Sequence, residues 1–222
     1  MDKIYIIGLG GIGTGIISPL GKFIKYSEKN KYEVFLIDGD KVEEHSLQRQ
    51  NFVPVDIGKG KANVMAEYMS GITDSKITAI DAYLKPENID IIQDNSIVFC
   101  GVDNYITRRL LEKHATKNLK NTLLIFGGNE YDDGDVNIIH IIDGKAQTPL
   151  YSEKHPEIKK KDKFPDEQSC AQASVHHPQL IFANLMAAQL MLNTFYSWVQ
   201  TKKIKFHEYF FDVKTNAIRG VE

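Results

Sequence analysis

Cysteine is nearly absent from this chain, and neither sign of charge prevails. The 222 residues include two cysteines, Cys100 and Cys170. Two are too few for a disulfide framework and suit a reducing compartment, so a cytoplasmic location is expected. Lys and Arg number 27 against 29 Asp and Glu, a formal charge of −2. A chain so balanced has no global field to draw in nucleic acid or an anionic membrane, and neither is expected as a partner. Internal repeats and low-complexity tracts are also missing. With 42% hydrophobic residues, residues 1–222 can bury a sizeable core without staples and read as one domain.

Two apolar stretches invite a membrane reading. Ile4 to Leu20 lacks the basic flank and cleavage site of a secretory leader, since Asp2 is acidic and glycines interrupt the run. His177 to Gln200 holds no Asp, Glu, Lys or Arg and is long enough to cross a bilayer. Asn184, Gln189 and Asn193 would then sit in hydrocarbon at a cost, so a buried or dimer-interface helix is expected, the latter in a homodimer.

What the chain does have is an apolar run from Lys3 to Ile7 that leads straight into Gly8-Leu-Gly10-Gly11-Ile-Gly13. Gly8 permits the tight turn, Gly10 and Gly11 let backbone N–H groups approach a phosphate, and Gly13 lets the next helix pack close to the strand. A second apolar run, Val34 to Ile37, ends in Asp38, 25 positions after Gly13. A carboxylate there accepts hydrogen bonds from ribose hydroxyls. Asp40 either fixes the local turn or touches the ligand. Then come Arg49 and Gln50, Lys59 and Lys61, and Asp103 at the end of a further apolar run, Ser96 to Cys100. A nicotinamide dehydrogenase leaves this arginine, lysine and aspartate without roles. A nucleoside triphosphate with Mg²⁺ uses all three.

Periodicity predicts helices over Thr14–Lys29, Lys59–Met69 and Asn104–Lys117, with a short one at Ile89–Gln93. Strands are predicted at Lys76–Ile80, Ser96–Cys100, Thr122–Phe126, Val136–Ile142 and Lys205–Val213, with a hairpin turn at Asp132–Asp135. Asp143 to Gln168, with three prolines and few apolar anchors, reads as a long mobile surface loop able to act as a lid. The alternation implies an α/β fold: a doubly wound, Rossmann-like sheet with a parallel core, an antiparallel extension and helices on both faces.

The ordered series of glycine turn, Asp38, Ser46-Leu-Gln-Arg49-Gln50, Lys61 and Asp103 resembles the ThiF/MoeB superfamily, the adenylating enzymes related to ubiquitin-activating enzymes. The resemblance covers roughly residues 3–142 and continues through Ser169-Cys170. It implies that Gly8, Gly10, Gly11, Gly13 and Asp38 hold ATP, that Arg49 and Lys61 contact its phosphates, and that Asp103 organises Mg²⁺. It also implies attack of a substrate carboxylate on the α-phosphate, the substrate being the C-terminus of a small ubiquitin-like or sulfur-carrier protein, or a peptide. The chain departs from the family in four respects. Ser46 stands where Asn is usual, no helix carrying a lent arginine precedes the first strand, no recognisable carrier-binding domain follows, and Cys-x-x-Cys pairs are absent, so no structural zinc is expected.

Cys170 sits where several relatives place a cysteine that accepts the acyl group, with His176 and His177 near enough in sequence to lower its pKa. The alternative is a small residue that seats the following helix. Cys100 reads as core. Two rival functions remain at this point: a non-catalytic nucleotide-binding partner subunit and an NAD-dependent oxidoreductase.

Overall fold

The structure is a computed structural model, which describes residues 2–27, 32–160, 162–165 and 179–222. Strands β1 (Lys3–Ile7), β2 (Glu33–Ile37), β3 (Ile77–Ile80), β4 (Ser96–Cys100) and β5 (Thr122–Asn129) form the parallel part of one sheet. β6 (Asp133–Ile142), β8 (Glu208–Asp212) and β9 (Ala217–Val221) extend it antiparallel, and the short β7 (Lys145–Ala146) pairs with β6. The order across the sheet is β3-β2-β1-β4-β5-β6-β8-β9.

The central strands read as continuous apolar runs because both of their faces are covered. Ile4 and Ile6 of β1, with Phe99 and Ile125, point into one core. Helices α1 (Gly11–Tyr26) and α2 (Lys61–Ser70) and the long last helix, α5 (Ile181–Thr201), contribute to it. Tyr5 and Ile7 alternate to the other face, where they meet Val98, Phe126 and Leu111 of α3 (Tyr105–Asn118). The doubly wound expectation is met, with helices on both faces. β1 lies between β2 and β4, so chain order reverses there, and the carboxyl ends of β1 and β4 border the crevice where such sheets take ligands.

Three sequence expectations change. The hairpin turn is Glu130–Asp132, not Asp132–Asp135, because Asp133, Gly134 and Asp135 are already paired with Asp212, Phe211 and Phe210 of β8. A Cβ at Gly134 would lie 2.3 Å from the Gly128 carbonyl oxygen, so this glycine serves strand contact rather than a turn. β9 was not foreseen. Residues 143–160 are not an unanchored loop: they hold β7, the short helix α4 (Tyr151–Lys154) and a further helical turn at Pro156–Lys159, with Tyr151 and Ile158 buried.

A buried arginine pins that segment to the sheet. Arg108 donates to the carbonyls of Val102 (2.8 Å) and Gly127 (2.8 Å), at the ends of β4 and β5, and to the Tyr151 hydroxyl (2.8 Å). Burial pushes the Tyr151 hydroxyl up to about 12, so it stays protonated at neutral pH. Asp162 accepts from the Tyr105 N–H (2.7 Å) while Asn104 accepts from Thr107 (2.9 Å), and together they cap α3. Removing Arg108 leaves two carbonyls and a hydroxyl unpaired. Arg108→Ala is expected to cost about 2–4 kcal/mol in urea unfolding. Gly13→Ala, whose Cβ would sit 1.9 Å from the Gly8 carbonyl oxygen, should cost about 1–3 kcal/mol in the same measurement.

Candidate functional site

A cavity of about 990 Å³ opens at the carboxyl ends of β1, β2, β4 and β5. Gly8, Gly10 and Gly11 line it with Asp38 and Asp40, and Arg49, Gln50, Lys61 and Asp103 line it from three further segments. Of the residues singled out from the sequence, Gly13 lies just beneath, against the Gly8 carbonyl. Cys170, with Ser169, His176 and His177, lies outside the described residues.

The four glycines meet four different demands. Gly8 adopts φ +83°, a left-handed conformation that favours glycine. Gly10 has no atom within 4 Å of where a Cβ would stand, so its open side faces the cavity. The place of a Gly11 Cβ is taken by Asn184 of α5, whose Nδ2 lies 2.3 Å from it. Gly13 brings the helix onto the strand. α1 starts at Gly11, and its N-cap residue Gly10 offers no side-chain acceptor, so the positive end of a 16-residue helix looks into the cavity uncapped.

Asp38 is fixed by the same turn. Its Oδ2 accepts from the Leu9 N–H (2.6 Å) and its Oδ1 from the Asp40 N–H (2.8 Å). Burial pushes its carboxyl up to about 6; Lys61 opposes this, the Asp40 charge adds to it, and the two N–H bonds oppose it. Asp40 grips Lys61 at 2.9 Å and also accepts from the Tyr83 hydroxyl. It therefore fixes the local structure and holds a buried ammonium at the cavity wall. Arg49 donates to Gln179 at 2.6 Å. Its backbone is set by α1, because Asn51 donates to the Thr14 hydroxyl (3.2 Å) and carbonyl (3.1 Å). Ser46 is wholly buried and accepts from the Glu43 N–H (3.2 Å), so its departure from Asn serves the turn rather than the cavity. Asp103 is exposed at the end of β4, with no hydrogen bond or ion pair to its carboxylate among the described residues.

The opposite end of the cavity is acidic. Asp135, His155 and Glu208 bring ligand atoms within 4.8 Å of one another. Burial works against charge on His155, but hydrogen bonds to Glu208 and to Glu157 (2.8 Å) outweigh it and hold the imidazolium above its ordinary range. Both ring nitrogens of His155 meet a carboxylate, Glu157 and Glu208, so the group is held together as an ion-pair cluster. No zinc-type cluster is found among the described residues, and Cys100 is buried, its thiol pushed up by desolvation.

Sequence reasoning missed Arg108, Tyr151, Gln179 and Asn184. Asn184 is the telling one: it is 1% exposed, and neither of its amide atoms has a hydrogen-bond partner. Gln50 Oε1 is likewise buried and unpaired. Each such atom costs about 1–3 kcal/mol. The signal was present in the sequence as a polar residue in an uncharged helix, where it argued against a membrane and not for a site.

Among known proteins, the chain is 28% identical over 143 residues to the NEDD8-activating enzyme E1 catalytic subunit of Schizosaccharomyces pombe, covering 62% of this chain and 31% of that protein. It is 29% identical over 154 residues to a probable molybdopterin-synthase adenylyltransferase of Pyropia yezoensis, covering 68% and 39%. The chain thus spans about a third of the length of these curated relatives. Among solved structures, Escherichia coli MccB with ATP superposes with a TM-score of 0.75 at 18% identity, covering 99% of this chain and 63% of that one. PaaA gives 0.70 at 16%, covering 100% and 64%. These likenesses establish the fold. The model of the ThiF family matches residues 2–221, and the chain belongs to that family.

Proposed function

We propose that this chain binds Mg·ATP in the cavity and adenylates the C-terminal carboxylate of a small ubiquitin-like or sulfur-carrier protein, or of a peptide. One observation carries the reading. Asp38, Arg49, Lys61 and Asp103, from four separate segments, surround the uncapped N-terminus of α1 at the β1/β4 crevice. Relatives named as an adenylyltransferase and as an E1 catalytic subunit support it.

In this reading Asp38 accepts from the ribose hydroxyls, and the α1 N-terminus, Arg49 and Lys61 receive the phosphates. The substrate carboxylate, ionised at neutral pH, forms a bond to the α-phosphorus while the bond to the pyrophosphate oxygen breaks and pyrophosphate leaves. No general base is needed, so positioning and electrostatics carry the rate. Asp103 would hold Mg²⁺, which offsets charge on the phosphates; a lone carboxylate suits an ion that keeps waters and phosphate oxygens as its other ligands. We place the protein in the cytoplasm, which its two cysteines suit, and as a homodimer, because α5 presents Phe182 (61% exposed) and Leu185 (43% exposed) to solvent. Among the described residues no helix is long and apolar enough to cross a membrane. Cys170 as an acyl acceptor would act after adenylation, so Cys170→Ala should retain the first step.

The deciding measurement is carboxylate-dependent ATP–pyrophosphate exchange. Arg49→Ala and Lys61→Ala should each lower it by about 10²-fold, and Asp103→Ala should abolish it while leaving the fold intact. Unchanged exchange in all three would place the chemistry elsewhere. ATP binding without exchange would make the chain a nucleotide-binding partner subunit, and tighter binding of NAD than of ATP would sink the reading.

A pH dependence follows from Asp38. Its carboxyl titrates near 6 when folded, above the ordinary carboxylate range, so the protonated form, which has lost its charge for the ribose, prevails below that pH. ATP affinity measured calorimetrically should therefore rise as pH goes from about 5 to about 7 and level off above. Asp38→Asn should flatten the curve, and a wild-type affinity insensitive to pH over this range would count against a ribose role.

A further inference from the structure

Among the described residues, the buried side-chain polar atoms left without partners are Gln50 Oε1, His207 Nε2 and both amide atoms of Asn184. Asn184 thus leaves a donor and an acceptor unpaired at one point, and that point is on the cavity wall. The side chain is held there by helix packing. It occupies the space over Gly11, at the first residue of α1, and one turn further on Gly15 meets Ala188, where a Cβ would lie 3.1 Å away. α5 lies against α1 and β5, whereas Asp38 and Lys61 approach from the β2 and α2 side. Asn184 therefore faces the helix terminus from the side opposite Asp38 and Lys61, while Arg49 reaches toward the start of α5 through Gln179 (2.6 Å).

An anion over an uncapped helix N-terminus could accept from Nδ2. It could not satisfy Oδ1, because phosphate and carboxylate oxygens carry no hydrogen at neutral pH. A ligand that pairs both atoms must bring an acceptor and a donor within about 3 Å of each other. The last residue of a peptide chain does: its carboxyl oxygen and its own amide N–H flank a single Cα. We propose that Asn184 is a specificity-determining residue that reads this unit. Nδ2 donates to an oxygen of the carboxyl–phosphoryl group, and Oδ1 accepts from the N–H of the substrate's final residue. The site then favours a peptide or protein C-terminus over a simple carboxylic acid of the same length. This inference rests on the adenylation reading.

Two non-reacting acyl-sulfamoyl adenosines test it, one carrying N-acetylglycyl and the other levulinoyl, in which a methylene replaces the amide N–H. Wild-type protein should bind the acetylglycyl compound about tenfold more tightly, the worth of one hydrogen bond to a buried acceptor. Asn184→Leu should bind both alike, and at least tenfold more weakly than wild type binds the acetylglycyl compound, since the Nδ2 bond is lost as well. Calorimetry reads the affinities, and a melting curve checks that the variant is folded. Should the leucine not pack against Gly11, Asn184→Ala carries the same comparison. Equal wild-type affinity for the two compounds, or a preference that survives in the folded variant, overturns the role of Asn184 and leaves the adenylation reading standing. Failure of wild type to bind either compound or Mg·ATP overturns both.

Discussion

The site depends on how closely α1 approaches the end of β1. Gly13 lies so near the Gly8 carbonyl that a methyl group would stand 1.9 Å from the oxygen, and a methyl group on Gly101, at the end of β4, would stand 3.3 Å from the Ile12 Cβ. These contacts press the helix terminus into the crevice between the two strands. Everything assigned to the nucleotide then inherits its position. The turn that precedes α1 aims the Leu9 N–H at Asp38, and Thr14 in its first turn holds Asn51 and so the backbone carrying Arg49. A small shift of α1 would move the helix terminus, Asp38 and Arg49 together.

The basic side chains of the cavity are held in place by the protein itself. Lys61 and Arg49 are each already held by a side chain, Asp40 and Gln179. Their rotamers are fixed during folding, so little ordering is left for the binding step. A phosphate must compete with Asp40 for Lys61, which tempers affinity but keeps the ammonium in place. Toward β6, Asp135, Glu157 and Glu208 gather around the His155 imidazolium, with the Arg108 guanidinium as a second cation beside Asp135.

The parallel core was legible because β1 and β4 are buried on both faces and must be apolar at every position. Asp38, Arg49, Lys61 and Asp103 were legible as an ordered series, since strand ends and helix starts carry them at recognisable spacings. The misread parts depend on partners distant in sequence. The Asp-Gly-Asp signal was overridden by pairing with β8, which fixes the register of Asp133–Asp135. β9 is an edge strand whose residues are mostly exposed and show no alternation. The segment after β6 was read as unanchored because Tyr151 and Ile158 are isolated in sequence, although both are buried in space. Arg108 carried no local mark of its role, because its acceptors lie 6, 19 and 43 residues away.

The glycine turn itself shows why a motif is a weaker statement than a structure. Read as a string, Gly8 serves a tight turn, Gly10 and Gly11 the approach of a phosphate, and Gly13 the packing of helix on strand. In space, Gly8 supplies a backbone conformation, Gly13 a helix–strand contact, and Gly10 an open wall. Gly11 is the exception to the string: the volume freed by its missing side chain is filled by Asn184 from a helix more than 170 positions later. The physical unit is therefore Gly11 with Asn184, and a side chain at position 11 has no room while the asparagine stands where it does. An alanine at Gly11 would leave the turn's backbone possible but drive the amide out of the wall it forms. For that reason tolerance at this glycine reports on the last helix as much as on the nucleotide.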